Sequence, residues 1–263
     1  TEVIEIDQIP AKVDVSYDIT EPTNKGITVT LSSDEEIMPV DAGLWNPDKK
    51  YANKLQKVYF NNTDETITIV DKAGNETKVS IKITNYDKEA PKNNAVNFQI
   101  NGKNPEKEEI NGEKYSVYYG TLSDELYGYI RTNEKLKENP TFTLTYGTKE
   151  INLSGDDVEL RTEDKEEYKY LYYFKYEINE EEFSKIAKEE IVMTVSNIVD
   201  LAGNKVEGTW EVSNSNRVFV DTVAPEYQTL RLTNVSRKDE NGKWLQVASV
   251  GDIVRIIVTF DEN

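Results

Sequence analysis

Alternation of apolar and polar residues is the main pattern along this chain, and it predicts β-strands. The pattern runs through segments 27–31, 67–70 and 79–83. Its longest stretch places six apolar residues on one face: Tyr168, Tyr170, Tyr172, Phe174, Tyr176 and Ile178. Such an aromatic row can stack on sugar rings, but a row that faces the core of a β-fold is the favoured interpretation.

Only one segment has helical spacing. Phe183, Ile186 and Ala187 share one helical face within residues 180–190, which predicts one or two turns between strands. The many other short apolar segments are separated by Gly, Asn and Asp. This arrangement indicates an all-β fold, either a sandwich or a barrel.

Two motifs repeat along the chain. The sequence Val-Asp-Lys-Ala-Gly-Asn at 70–75 recurs as Val-Asp-Leu-Ala-Gly-Asn at 199–204. In each copy Gly can adopt the positive φ of a tight turn, and the Asp carboxylate can accept backbone N–H groups. An Asp-to-Pro linker follows each copy, at 87–91 and 221–225, and a shorter version opens the chain at 7–10.

These motifs predict three domains. The first covers residues 1–91, with the tail of a preceding linker at 1–10, and the second, longer one covers 92–225. Residues 226–263 are expected to be the N-terminal part of a further, truncated domain, because a sandwich needs roughly 100 residues. Segment 250–262 resembles 122–134, since both run from an Asp through β-forming residues to a Glu near the end of a strand.

Composition limits the chemistry of the chain. With 31 Lys and Arg against 49 Asp and Glu, the formal charge of −18 repels nucleic acid and anionic lipid. No stretch approaches the roughly 18 apolar residues that span a bilayer, so no membrane insertion is expected in this segment. The chain has neither Cys nor His, which excludes disulfides, thiolate zinc sites and Ser-His-Asp or Cys-His catalysis. We expect a non-enzyme, although catalysis by carboxylates alone stays open.

Several segments, taken in order, resemble one type of bacterial immunoglobulin-like repeat: 17–20, 22–24, 27–31, 43–45 and 71–75. A second, longer repeat type is similar to residues 92–225, through 141–144, the Tyr-rich strand, 191–197 and 200–204. The resemblance is to the tandem (Big/HYR-like) repeats of Gram-positive, Firmicutes-type cell-surface proteins. It implies tandem Ig-like antiparallel β-sandwich domains arranged as an elongated rod.

The same resemblance implies a non-catalytic structural or adhesive stalk of a cell-surface or secreted protein, extracellular and monomeric. Its ligand would be a host or cell-wall glycan or a protein, which the sequence does not specify. The alternative is an accessory Ig-like or carbohydrate-binding region of a secreted glycoside hydrolase or peptidase. Fold alone does not choose between them.

The resemblance also implies calcium between domains, held by acidic residues of the turns and linkers. The residues expected at the first junction are Asp71, Asp87 and Glu89, and those at the second are Asp200, Asp221 and Glu226. Calcium takes six to eight oxygen ligands, so two or three carboxylates with backbone carbonyls suffice. The alternative, which the sequence favours, is that these Asp side chains only brace their turns and linkers.

Overall fold

The computed structural model describes residues 6–40, 45–47, 51–212 and 215–261, and these residues form an all-β protein. The regular elements in these ranges are twenty strands, one 3-10 turn and one short helix. The predicted β class is therefore confirmed. Within the described ranges, no helix has the length and apolar character needed to cross a bilayer.

The described part of the N-terminal unit consists of seven strands in two antiparallel sheets. The strands are β1 (Val13–Tyr17), β2 (Ile27–Ser33), β3 (Ile37–Pro39), β4 (Asn46–Pro47), β5 (Lys54–Tyr59), β6 (Thr63–Asp71) and β7 (Glu76–Ile83). One sheet has the order β1-β2-β5-β4 and the other β3-β6-β7. Ile27, Val29 and Leu31 alternate along β2 and are fully buried, as period-two patterning requires. Together the sheets form one apolar core between residues 11 and 86.

The described residues of the central unit form eleven strands. They are β8 (Asn93–Ile100), β9 (Glu106–Ile110), β10 (Glu113–Gly120), β11 (Glu125–Thr132), β12 (Thr141–Tyr146), β13 (Lys149–Leu153), β14 (Glu159–Thr162), β15 (Tyr170–Glu177), β16 (Glu189–Ser196), β17 (Trp210–Glu211) and β18 (Asn216–Val220). One sheet has the order β13-β12-β16-β18-β10-β9, with β17 also paired to β16, and the other β14-β15-β11-β8. The pairing is antiparallel except between β10 and β18, which are parallel. A second apolar core lies between residues 96 and 220.

The aromatic row of β15, from Tyr170 to Tyr176, faces this second core, as the alternation predicts. Tyr168, which the alternation places on the same strand, instead precedes β15 and has a φ of +51°. Tyr172 and Phe174 are each 1% exposed, and the Phe174 ring lies 5.1 Å from that of Phe142. Helix α1 (Glu180–Phe183) follows the strand, and its N-cap residue Asn179 accepts the N–H of Glu182. The predicted helical segment is thus a single turn.

A two-stranded hairpin ends the described chain, formed by β19 (Tyr227–Asn234) and β20 (Val254–Phe260). Four apolar side chains alternate on one of its faces and are more than 40% exposed: Leu230, Leu232, Ile256 and Val258. Their counterparts in the same strand pair of the central unit, β8 and β11, are buried under the opposite sheet. Within the described residues, the hairpin has no second sheet.

We predict that Phe174→Ala destabilises the central unit by about 3–5 kcal/mol, because it leaves a cavity between Phe98 and Phe142. Calorimetry should show a lower transition temperature for the central unit and an unchanged transition for the N-terminal unit, whose core is separate. The neighbouring Lys175→Ala is the control, since Lys175 lies on the exposed face of the same strand. Equal losses from both substitutions would contradict this core assignment.

Candidate metal centre

Three carboxylates converge where the N-terminal unit meets the central unit. They belong to Asp87, Glu134 and Asp200, and one oxygen of each lies within 4.8 Å of the others. Asp87 lies in the linker between the units, Glu134 follows β11, and Asp200 begins the turn at 200–204. We call this group the junction acidic cluster.

The turn at 200–204 fixes the orientation of the Asp200 carboxylate. The backbone N–H of Asn204 donates to Oδ1 of Asp200 over 2.7 Å, and the Asn204 side-chain Nδ2 donates to Oδ2 over 2.7 Å. Gly203 has a φ of +92°, which favours glycine in this turn. The Asp200 side chain is fully buried, so its two oxygens stay in one place.

Asn204 also connects the turn to the linker. Its Nδ2 donates to the backbone carbonyl of Asp87 over 3.2 Å. The Asp87 carboxylate in turn accepts the N–H of Glu89 over 2.9 Å. These bonds keep the linker carboxylate beside that of the turn.

The same arrangement is found at the entry to the N-terminal unit. Asp7, Glu35 and Asp71 have carboxylate oxygens within 4.8 Å of one another, and we call them the N-terminal acidic cluster. Asn75 donates to Asp71 from its N–H over 2.9 Å and from Nδ2 over 2.8 Å. Asn75 also donates to the carbonyl of Asp7 over 3.4 Å. The two clusters therefore correspond residue by residue.

A further pair of bonds positions the two glutamates alike. The residue before each Glu accepts a backbone N–H from the start of the unit: Lys12 donates to Asp34 over 3.0 Å, and Lys92 donates to Asn133 over 2.7 Å. The ends of β2 and β11 are thereby tied to the start of their units. As a result Glu35 and Glu134 lie at equivalent positions.

The glutamates carry the electrostatic cost of this convergence. Burial, together with the negative charges of Asp200 and Asp87, raises the pKa of Glu134 to about 7. Burial and the charges of Asp71, Asp7 and Asp34 raise the pKa of Glu35 as well. Within the described residues, no Lys or Arg forms an ion pair with any of the six carboxylates.

Asp71 behaves differently because its oxygens receive hydrogen bonds. Burial alone would raise its pKa, but bonds from the Asn75 side chain and from the N–H groups of Asn75, Gly74 and Ala73 outweigh burial and lower the pKa. Each cluster thus combines a braced aspartate with a glutamate that is costly to ionise. A cation would relieve that cost.

The donor set fits calcium better than a transition metal. The chain has no Cys or His, so only oxygen ligands are on offer, and hard cations prefer them. Three carboxylates supply up to six oxygens, and backbone carbonyls can add others. In each cluster Asp7 or Asp87, Glu35 or Glu134, and Asp71 or Asp200 would hold the ion, whose charge would offset theirs.

The sequence-based grouping of these residues is wrong, although the choice of turn and linker aspartates is useful. Asp71 lies with Asp7 and Glu35, and Asp87 lies with Asp200. The eight residues of β7 run between the turn that begins at Asp71 and the linker at Asp87, a rise of roughly 27 Å. Each turn therefore meets the linker that precedes its unit, and not the one that follows it.

The remaining candidates lie elsewhere. Glu89 forms an ion pair with Lys92 over 2.6 Å. The N–H of Asp221 donates to the carbonyl of Gly120 over 2.9 Å, and the N–H of Glu226 donates to Asp261 over 2.7 Å. Within the described residues, neither Asp221 nor Glu226 belongs to an acidic cluster.

Three members of the clusters were missed from the sequence: Asp7, Glu35 and Glu134. A signal for them exists, because an acidic or amide residue followed by Glu ends the same strand in each unit, as Asp34-Glu35 and Asn133-Glu134. The same pair recurs in the sequence as Asp261-Glu262. This repeated pair identifies Glu35 and Glu134, and the Asp-to-Pro linkers identify Asp7.

The two units also contact each other directly beside the junction acidic cluster. The backbone N–H of Asn24 donates to the carbonyl of Ala202 over 3.2 Å, and Asn24 Nδ2 donates to Asn204 Oδ1 over 3.1 Å. The adjacent Thr23 pairs with the exiting chain at Tyr86 in a parallel bridge. The turn that braces Asp200 is therefore also the surface on which the N-terminal unit rests.

In the absence of divalent cations, we predict that stability falls as pH rises from about 4.5 to about 7. In this window folded Glu134 retains a proton that the unfolded chain has lost, so the folded state binds more protons. Glu134→Gln should flatten this dependence in urea unfolding curves measured in chelator.

Glu138→Gln serves as the control, because Glu138 is an exposed glutamate in the same loop. It should leave the pH dependence as it is in the unaltered chain. A flat profile for the unaltered chain would contradict the clustering of the three carboxylates.

Comparison of the chain with protein-family models, with curated proteins and with solved structures finds no match.

Proposed function

We propose that this chain is a non-catalytic stalk segment of a cell-surface or secreted bacterial protein, built from tandem Ig-like β-sandwich domains. In this proposal the domains follow one another in an elongated rod, and calcium stiffens the joints. The domains correspond to residues 1–91, 92–225 and 226–263. The segment acts as a monomer that carries other parts of a larger molecule.

The junction acidic cluster is the observation that carries the proposal. Its members come from both sides of a joint, since Asp87 belongs to the linker while Glu134 and Asp200 belong to the central unit. Like charges so close together repel one another, and the repulsion acts between linker and domain. A cation bound to all three turns that repulsion into attraction and restricts the linker.

Contacts beside the cluster transmit this restriction to the N-terminal unit. Asn204 binds Asp200 and the carbonyl of Asp87, and its Oδ1 accepts Asn24 of the other unit. The fixed linker and the Asn24 contact together constrain the orientation of one unit relative to the other. A joint with a restricted orientation suits a stalk, which has to hold other domains at a distance.

Composition supports the non-catalytic and extracellular parts of the proposal. The chain lacks the usual general base and thiol nucleophile, and millimolar extracellular calcium is matched to weak carboxylate sites. The strong negative charge also disfavours nucleic acid as a partner.

One surface favours a second candidate, a carbohydrate-binding accessory region of a secreted glycoside hydrolase or peptidase. Tyr127, Tyr129 and Tyr173 are half-buried on the outer face of β11 and β15, with ring centroids 5.7 and 5.9 Å apart. The guanidinium of Arg131 lies 4.9 Å from the Tyr129 ring. Aromatic faces with flanking polar groups can stack on sugar rings.

For the stalk, we expect calcium to raise the stability of the chain, by about 2.7 kcal/mol at a concentration one hundred times the dissociation constant. Glu134→Gln should weaken binding at the junction by about tenfold or more, because it removes one ligand charge. Calorimetric titration and thermal unfolding with and without chelator measure both effects.

Asp164→Asn is the matched control, since Asp164 is an exposed aspartate that belongs to neither cluster. It should leave calcium binding unchanged. The proposed calcium-stiffened joint is wrong if titration of the unaltered chain with calcium gives no heat of binding and chelator leaves its melting temperature unchanged.

For the carbohydrate-binding candidate, we expect the chain to bind a neutral polysaccharide on a glycan array and to lose that binding on Tyr127→Ala. Lys114→Ala, on an exposed strand position of the other sheet, should bind as the unaltered chain does. Absence of glycan binding by the unaltered chain would remove this candidate.

A further inference from the structure

The turn of the central unit is covered by the N-terminal unit, while no other unit among the described residues covers the equivalent turn of the N-terminal unit. Asn204 is 9% exposed, whereas Asn75 is half-buried, and Ala202 is half-buried whereas Ala73 is exposed. The difference comes from Asn24, which occupies both acceptors of the central turn.

The surroundings of the two turn glycines show the same difference in coverage. A Cβ on Gly203 would lie 3.8 Å from Nδ2 of Asn24, whereas a Cβ on Gly74 would have no described atom within 4 Å. Both glycines have a φ of +92°, so the turns share one conformation. The two turns differ in what covers them and not in their own structure.

We infer that the uncovered turn at 71–75 is a docking surface for a β-sandwich domain with a loop like Thr23-Asn24. Its acceptors are the carbonyl of Ala73 and Oδ1 of Asn75, which correspond to the two atoms that Asn24 binds in the central unit. The incoming loop supplies a backbone N–H and a side-chain amide N–H. Two acceptors at fixed spacing select a loop with two such donors.

The two loops at which the chain leaves its units indicate which type of domain can dock on this turn. The N–H of Asp87 donates to Thr23, and the N–H of Asp221 donates to Gly120, so Thr121 stands where Asn24 does. Thr121 already donates its N–H to Asp124 over 2.7 Å and its hydroxyl over 3.0 Å. A domain like the central unit therefore lacks free donors, and the occupant is a domain like the N-terminal unit.

The linker beside the uncovered turn has the geometry that such docking needs. Oδ1 of Asp7 accepts the N–H of Ile9 over 3.0 Å, as Asp87 accepts that of Glu89 over 2.9 Å. A chain arriving at Asp7 is thus directed as it is at Asp87. The inference rests on the proposed function in one respect, namely that the domains act in series.

The test duplicates residues 7–86 and inserts the copy between Ile6 and Asp7 of the full chain. This places a second Asn24 loop before the turn at 71–75, joined through the native linker. The chain has no Cys, so Lys78→Cys in each copy gives two unique sites for spin labels. Double electron–electron resonance then measures the distribution of distances across the new joint.

We expect a narrow distribution in calcium, and loss of the narrow peak when Asn24→Ala is made in the inserted copy only. The native joint, labelled through Lys78→Cys and Lys175→Cys in the chain without the insert, is the reference. A narrow native joint with a broad new joint overturns the docking inference and leaves the proposed function intact. A native joint that is broad in calcium counts against the proposed function itself.

A second insert distinguishes a short linker from a missing contact. In it residues 87–91 replace 7–10 at the new joint, which lengthens the linker by one residue. Calorimetry establishes that each inserted copy is folded, through a doubled enthalpy of the N-terminal transition. If both folded inserts give broad distributions, or if Asn24→Ala changes neither, the turn is not a docking surface.

Discussion

Repulsion between converging carboxylates is the constraint on which the ends of both units depend. Three carboxyl groups with oxygens within 4.8 Å of one another are not an arrangement that a folding chain reaches by default, because their charges repel. Three features of the backbone hold the carboxyl groups in place. They are a tight turn, a linker whose Asp accepts the N–H two residues later, and a strand end that is hydrogen-bonded to the start of the unit. Each of these features is found in both units, so the same local structure surrounds both acidic clusters.

The direction of the strands decides which charges meet. Both clusters lie where the chain enters a unit, because strands β2 and β11 end at that side and the turns at 71–75 and 200–204 lie there too. The exit lies at the opposite end, and there the units differ. Asn24 is available to the neighbouring turn, whereas Thr121 is occupied by Asp124. The two units are therefore more alike at the end where the chain enters than at the end where it leaves.

Strands and turns were predictable because period-two patterning and turn chemistry are local. The burial of Phe174 and the positive φ of Gly74 and Gly203 follow from a few neighbouring residues. The pairing of Asp71 was not predictable in the same way, since it depends on which end of β7 lies near which linker. Glu134 was harder still, because its role arises only when a distant turn and a linker meet at the end of its strand.

Bracing and cation binding were alternatives for these aspartates when only the sequence was considered, but the geometry makes one a condition of the other. A carboxylate that rotates freely in water loses entropy when it binds an ion, whereas Asp200 is fixed by Asn204 before any ion arrives. The bonds that brace Asp200 also leave a lone pair on each oxygen for a further ligand. Glu134, which no such turn braces, is a member whose ionisation an ion would favour, since burial and the charges of Asp200 and Asp87 raise its pKa to about 7. A braced pair of aspartates with one adjustable glutamate therefore forms a site in which most of the ordering is complete before binding.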